Sequence, residues 1–105
     1  MDNVYSRTIW KFPIEITEQQ EITVNKDYRV LSVGLDPSGQ PCLWIYVDSN
    51  PNSPKTSITI NLYGTGGPVS TRPGGFIGTF LQGSLVWHVF YGGQPLDKMA
   101  CGSRM

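Results

Sequence analysis

Glycine and proline interrupt this sequence so often that a long helix has no room to form. They occupy 20 of the 105 positions, as 12 Gly and 8 Pro. The apolar residues between these breaks do not follow the i, i+3, i+4, i+7 spacing of an amphipathic helix. They form short runs, many of them alternating with polar residues, which is typical of β-strands. We therefore predict an all-β fold.

Seven segments between turn signals fit the strand pattern. Pro13, near the end of the first segment, cannot donate a ladder hydrogen bond, so this strand is predicted to lie at a sheet edge. The fourth segment, residues 42–47, is apolar on both faces and is predicted to be a central, buried strand. Such a pattern favours a small antiparallel sandwich or barrel of about seven strands. The segments are residues 6–14, 21–24, 28–35, 42–47, 56–63, 76–81 and 85–91.

Two of the connections carry clear turn signals. Residues 36–39 (DPSG) have proline second and glycine fourth, which indicates a type I turn between antiparallel strands. Residues 83–84 (GS) fit a two-residue hairpin. Both signals predict that the flanking strands pair with each other.

Alternation predicts which side of two strands is apolar. In residues 28–35, one face carries Leu31, Val33 and Leu35 together with Arg29, and it is the more apolar of the two. In residues 56–63, one face is uniformly aliphatic and the other is polar, which indicates a half-buried strand. The aliphatic face consists of Ile58, Ile60 and Leu62.

A chain of 105 residues fits one domain. We predict a single β domain over residues 1–91 and a loosely ordered tail over residues 92–105. Cys42 lies in an apolar run and is predicted to be a buried small hydrophobe, whereas Cys101 lies in the polar tail. Two free thiols suit a cytoplasmic protein, although a Cys42–Cys101 bridge stays open.

The low charge of the chain excludes several classes of function. Eight basic and eight acidic side chains give a net charge of zero, which disfavours binding of long nucleic acids. No apolar run reaches the roughly 18 residues that a membrane span needs, and the N-terminus lacks the pattern of a secretory signal. Aromatic residues make up 11% of the chain, more than one small core should need. Some apolar strand face is therefore predicted to cover another subunit or a ligand.

The glycine-rich segment after the fifth strand is the first candidate ligand site. Its free backbone amides can form a concavity for an anion such as phosphate, and the Arg72 guanidinium can add a positive charge and two parallel hydrogen-bond donors. The segment lacks the spacing of a phosphate-binding loop, and the alternative is a chain of tight turns. The candidates in this region are Tyr63 as a stacking ring, Gly64, Thr65, Gly66, Gly67 and Arg72.

His88 is the single histidine and the second candidate. A general base needs a nucleophile and an orienting carboxylate, and neither is recognisable from sequence, so the alternative is a packed strand histidine. No metal-ligand spacing is present either. We predict no catalytic residues, no metal, no cofactor and no enzymatic activity. Thr79, Trp10 and Lys11 complete the predicted ligand-binding set, the last two for stacking and charge.

Five segments, taken in order, are familiar as a set: residues 9–14 (IWKFPI), 39–44 (GQPCLW), 63–66 (YGTG), 77–80 (IGTF) and 85–90 (LVWHVF). Together they resemble a family of short proteins encoded by bacteriophages and prophages, most of which have no assigned function. The family motif continues Gly-His-Pro after Tyr-Gly-Thr, whereas Gly66-Gly67-Pro68 stands here.

The resemblance implies a counter-defence role in the host cytoplasm. One class of such proteins sequesters cyclic nucleotide immune signals, and this is the function we expect here, with the ligand held by a homo-oligomer. Two alternatives stay open. The first is direct binding to a host defence protein, and the second is a minor virion or assembly component.

Overall fold

The computed structural model describes residues 6–92, and this part of the chain is all-β. It contains seven strands and no helix, so no helix in it could cross a membrane. The strands are β1 (Arg7–Pro13), β2 (Gln19–Asn25), β3 (Tyr28–Leu35), β4 (Pro41–Asp48), β5 (Lys55–Gly64), β6 (Gly75–Gln82) and β7 (Leu85–Tyr91).

The strands form two antiparallel sheets that face each other as a small sandwich. One sheet has the order β1-β4-β3 and the other has the order β2-β5-β7-β6. The core between them is aliphatic, with one aromatic ring from β6. Its buried members are Ile14, Val24, Leu43, Ile45, Val47, Ile58, Ile60, Leu62, Phe80 and Val89.

The three-stranded sheet confirms two predictions. The strand β4 is central and pairs with both β1 and β3. The expectation that both of its faces are buried is wrong, because the outward face carries Tyr46, which is exposed. The strand β1 lies at the sheet edge, where Pro13 stands opposite Cys42. Proline has no backbone N–H, and an edge strand tolerates this because it has no neighbour on its outer side. Cys42 is fully buried, as its apolar surroundings predicted. Cys101, like the rest of the predicted tail beyond Gly92, lies outside the described residues.

The predicted apolar face of β3 is wrong, because the strand contains a β-bulge. The register with β4 shifts between Val30 and Ser32, so the alternation before the bulge does not continue after it. Tyr28, Val30 and Val33 pack against the core. Leu31, which simple alternation grouped with Val33, is instead exposed. Leu35 follows the bulge and stays on the side of Val33, but it is exposed at the end of the strand.

Both predicted hairpin turns are confirmed. The Gly39 N–H donates to the Asp36 carbonyl at 2.8 Å, and Gly39 has φ +88°, a conformation that favours glycine. Gly83 has φ +59° at the first position of the two-residue turn between β6 and β7. The alternation of β5 is confirmed as well: Ile58, Ile60 and Leu62 are all buried.

Candidate functional site

The outer side of the four-stranded sheet brings together four of the predicted site residues: Tyr63, Thr65, Thr79 and His88. Side chains of cross-strand partners in β5, β7 and β6 point to the same side of the sheet. The alternate rows point to the core and contain the buried residues Leu62, Val89 and Phe80. In the middle row, His88 stands between Tyr63 and Thr79. We call this surface the outer face; it consists of Asn61, Tyr63, Thr65, Phe76, Thr79, Leu81, Val86, His88 and Phe90.

His88 is held by two threonine hydroxyls, one on each ring nitrogen. The Thr65 Oγ1 lies 2.7 Å from His88 Nε2, and the Thr79 Oγ1 lies 3.0 Å from His88 Nδ1. A neutral imidazole donates from one nitrogen and accepts at the other, and a hydroxyl satisfies either role. The two contacts therefore fix the plane and the direction of the ring.

Three aromatic rings lie in a row next to His88. The Phe90 ring meets Tyr63 at a centroid distance of 5.7 Å and Phe76 at 5.3 Å, both edge to face. Phe76 is 61% exposed although it is a large apolar residue. The other two rings of the row, Tyr63 and Phe90, are half-buried. Aromatic rings that are accessible on a sheet are the surface on which proteins stack planar bases.

The glycine-rich segment begins with a tight turn that places Thr65. The Gly67 N–H donates to the Gly64 carbonyl at 3.1 Å, and Gly66 has φ +87°. The Thr65 N–H donates to the Val86 carbonyl at 3.3 Å. Two amides of the predicted anion-binding stretch thus already have partners within the protein. What the turn does in this structure is bring the Thr65 hydroxyl to His88.

The second half of the same segment returns to the sheet beside the aromatic row. The Asn61 Nδ2 donates to the Pro73 carbonyl at 3.1 Å, which ties the segment to the outer face. Arg72 precedes Pro73 and is exposed. Its backbone N–H donates to Ser70 Oγ at 3.0 Å, and its guanidinium makes no hydrogen bond or ion pair with any residue between 6 and 92. An unpaired positive charge therefore lies in the segment that contacts Asn61 on the outer face.

Trp10 and Lys11 are not brought to this cluster. Both lie on β1, in the other sheet. The Lys11 Nζ donates to the Asp36 Oδ2 at 2.8 Å, and this hydrogen bond raises the pKa of Lys11. Trp10 stands opposite the buried Ile45 and is 41% exposed because β1 is an edge strand.

Sequence reasoning missed five members of the outer face: Asn61, Phe76, Leu81, Val86 and Phe90. Alternation within β5 and β7 already placed Asn61 with Tyr63, and Phe90 with His88. The sequence does not indicate that Asn61 and Tyr63 lie beside Phe90 and His88, because this depends on the pairing of β5 with β7. No group of three or more His, Cys, Asp or Glu side chains that could hold a metal occurs within residues 6–92.

The comparisons with known proteins give a family but no activity. No curated protein matches the chain, and no solved structure does. A family model described as a domain of unknown function, DUF7352, matches residues 5–98. The match spans all seven strands, and the chain belongs to this DUF7352 family.

Proposed function

We propose that this protein is a non-enzymatic binding protein that sequesters a small anionic ligand with a planar ring, such as a cyclic nucleotide immune signal. The observation that supports this most directly is the fixed imidazole of His88 beside an exposed aromatic row. Rings and an oriented polar group on one open sheet match what a nucleotide base requires.

In this proposal, each part of the outer face has a separate role. Phe76 and Tyr63 offer stacking surface to the base, and His88 offers one hydrogen bond to its edge by exchanging a threonine partner. Arg72 neutralises a phosphate with its fork. One arginine suits a small nucleotide, whereas a long nucleic acid needs many phosphate contacts.

The surroundings of His88 favour binding over catalysis. In a nucleophile–histidine–carboxylate triad, the carboxylate orients the ring and stabilises the imidazolium that forms. Here the Nδ1 partner is the neutral hydroxyl of Thr79, which supplies no such charge. Holding the ring in place is a sufficient role for both threonines.

The proposed setting is the cytoplasm of a bacterial host, where a phage-type protein would remove a defence signal. In this setting the protein acts as a homo-oligomer. Two outer faces brought together enclose a ligand that one flat face leaves half exposed, and burial strengthens the hydrogen bonds that the ligand makes.

Calorimetric titration with a panel of cyclic dinucleotides and trinucleotides tests the proposal. We expect saturable heat with at least one of them. Phe76→Ala removes one exposed ring and is expected to weaken binding by roughly 5- to 100-fold, since stacking contributes about 1–3 kcal/mol per base. Arg72→Gln removes the positive charge proposed to bind the phosphate and is also expected to weaken binding. Lys26→Gln, in the turn between β2 and β3, removes a positive charge elsewhere and is its matched control.

The outcomes separate clearly. Weaker binding in Phe76→Ala and Arg72→Gln, with Lys26→Gln unchanged, supports the site. Absence of heat with every member of the panel, for a folded protein, rejects nucleotide sequestration.

Direct binding to a host defence protein is a second candidate, and exposed leucines favour it. Leu81, on the edge strand β6, is 61% exposed on the outer face, and Leu85, which pairs with Gln82 and so points to the other side of the sheet, is 54% exposed. An edge strand with apolar side chains is a common docking surface for another protein. A stoichiometric partner that co-purifies with the wild type, and that Leu81→Lys no longer retains, would support this role over the first.

A further inference from the structure

A small cavity lies on the other sheet, away from the outer face. Its volume is about 230 Å³, and it is open to solvent on one side. It is located where β1 and β3 begin, on either side of the end of β4. Its lining residues are Arg7, Asp27, Tyr28, Arg29 and Tyr46.

Arg7 forms one fixed wall of this cavity. Its guanidinium makes an ion pair with the Asp27 carboxylate and also approaches the Asp27 carbonyl at 3.4 Å. It lies 5.8 Å from the centroid of the Tyr46 ring. The carboxylate and the ring hold the guanidinium in place before any ligand arrives.

Arg29 forms the facing wall and is not engaged. It stands directly opposite Tyr46 in the pairing of β3 with β4, so both side chains leave the same side of the sheet. The residue is exposed, and its guanidinium has no hydrogen bond or ion pair with the chain between Ser6 and Gly92. Tyr46 thus has an arginine on each neighbouring strand, one paired and one available.

The charge and size of the cavity define the ligand that it fits. Arg7 is paired with Asp27 and stands opposite Asp48 in β4, so the unpaired positive charge of the cavity is that of Arg29, which complements a monoanion. A carboxylate matches the fork of a guanidinium bidentately. The volume lies below the roughly 300–1,000 Å³ of pockets for larger ligands, and the Tyr46 ring supplies an aromatic surface.

We propose that this cavity binds a small aromatic carboxylate, with its carboxylate on Arg29 and its ring against Tyr46. Arg7 keeps its ion pair with Asp27 and forms the opposite wall beside the Tyr46 ring. This site is independent of the outer face, because it uses a different sheet and none of the same residues.

Titration of the ¹⁵N-labelled protein with benzoate, followed by amide chemical shifts, tests the proposal. Saturable shifts are expected at Arg7, Arg29, Tyr46 and their neighbours, and benzamide, which lacks the charge, should give at least tenfold weaker binding. Arg29→Gln should weaken benzoate binding about tenfold or more, and Arg29→Lys should recover only part of it because the fork is lost.

Arg72→Gln is the matched control, since it removes an exposed arginine from the other side of the molecule. It should leave benzoate binding unchanged, and Arg29→Gln should leave nucleotide binding unchanged. The benzoate proposal and the nucleotide proposal can therefore be rejected independently of each other. Benzoate shifts spread over the surface without saturation, or equal binding by wild type and Arg29→Gln, would overturn the proposal.

Discussion

The Asp36 carboxylate stabilises the turn between β3 and β4 by accepting several hydrogen bonds. It accepts them from the backbone N–H groups of Ser38 and Gln40 and from the Ser38 hydroxyl. Lys11, from the far edge strand, completes the set. One carboxylate thereby closes the β3–β4 turn and ties β1 to it.

We predict that this carboxylate makes the protein sensitive to acid. The hydrogen bonds from Lys11 and Ser38 lower the pKa of Asp36 below that of a free carboxyl group. Its contribution to stability is therefore complete above the unfolded-state pKa of about 3.9 and is lost as the pH falls toward the lower folded-state value. In urea unfolding, Asp36→Ala should lower the midpoint clearly at pH 7 and by less at pH 3. A Glu18→Gln control should show no comparable change at either pH.

Gly74 is the glycine whose replacement should cost the most. It has φ +101°, and a Cβ at this position would lie 2.5 Å from the Tyr91 carbonyl oxygen. Gly66 has a similar φ of +87°, but a Cβ added there would have nothing within 4 Å. We expect Gly66→Ala to cost about 1–2 kcal/mol of unfolding free energy from backbone strain alone. Gly74→Ala should cost more, and equal midpoints in denaturant would contradict the close approach to Tyr91.

At the scale of the strand, the bulge in β3 decides which side chains the core receives. The extra residue turns Leu31 outward and lets both Val30 and Val33 face the core, although they are three positions apart. On the facing sheet, Gly78 leaves room for Val33, whose Cγ1 would lie 3.1 Å from a Cβ there. The bulge and the glycine thus bring β3 and β6 together.

Alanine substitutions on both sides of the bulge test this arrangement. Val30→Ala removes two methyl groups from the core side and should cost about 1–2 kcal/mol. Leu31→Ala removes a larger side chain but should cost no more than about 0.5 kcal/mol, because that residue is exposed. Chemical denaturation of both variants gives the comparison. The reverse order would mean that the alternation of β3 is unbroken.

At the scale of the molecule, the chain carries few charged residues. Exposed apolar residues occur on both sheets. Leu31 and Leu35 are exposed on one sheet, and Phe76 and Leu81 are exposed on the other. Apolar residues scattered over a surface are ordinary, whereas a continuous set on one sheet face marks an interaction surface. On the outer face the apolar members lie on adjacent strands, in two rows on either side of the Thr79 and His88 pair.

We predict that the protein self-associates through the outer face. Sedimentation velocity over a range of concentrations should show a dimer or a higher oligomer. Phe76→Lys and Leu81→Lys should shift it toward monomer, because each places a charge within the apolar surface. Leu31→Lys on the opposite sheet should not. A wild type that is monomeric at all concentrations would count against the homo-oligomer.

Much of the fold could be predicted from local patterns. The strand positions, the two hairpin turns and the buried side of β5 all depend on residues close in sequence, and all are confirmed. The face of β3 could not be predicted, because a bulge is a property of two paired strands rather than of one. Of the candidate site, the sequence indicated His88, Tyr63 and Thr65, but not their contacts.

The sequence alone determined that this chain forms short antiparallel strands, because glycine and proline stop every helix and alternation selects the strand. The local hairpin turn also places Thr79 opposite His88. Only the tertiary structure decided that β5 lies beside β7 and that His88 therefore meets Thr65 as well. This contact joins residues 23 positions apart in the chain. The pairing of β5 with β7 across the glycine-rich segment is a long-range choice, made by burying one shared core, and no local pattern encodes it.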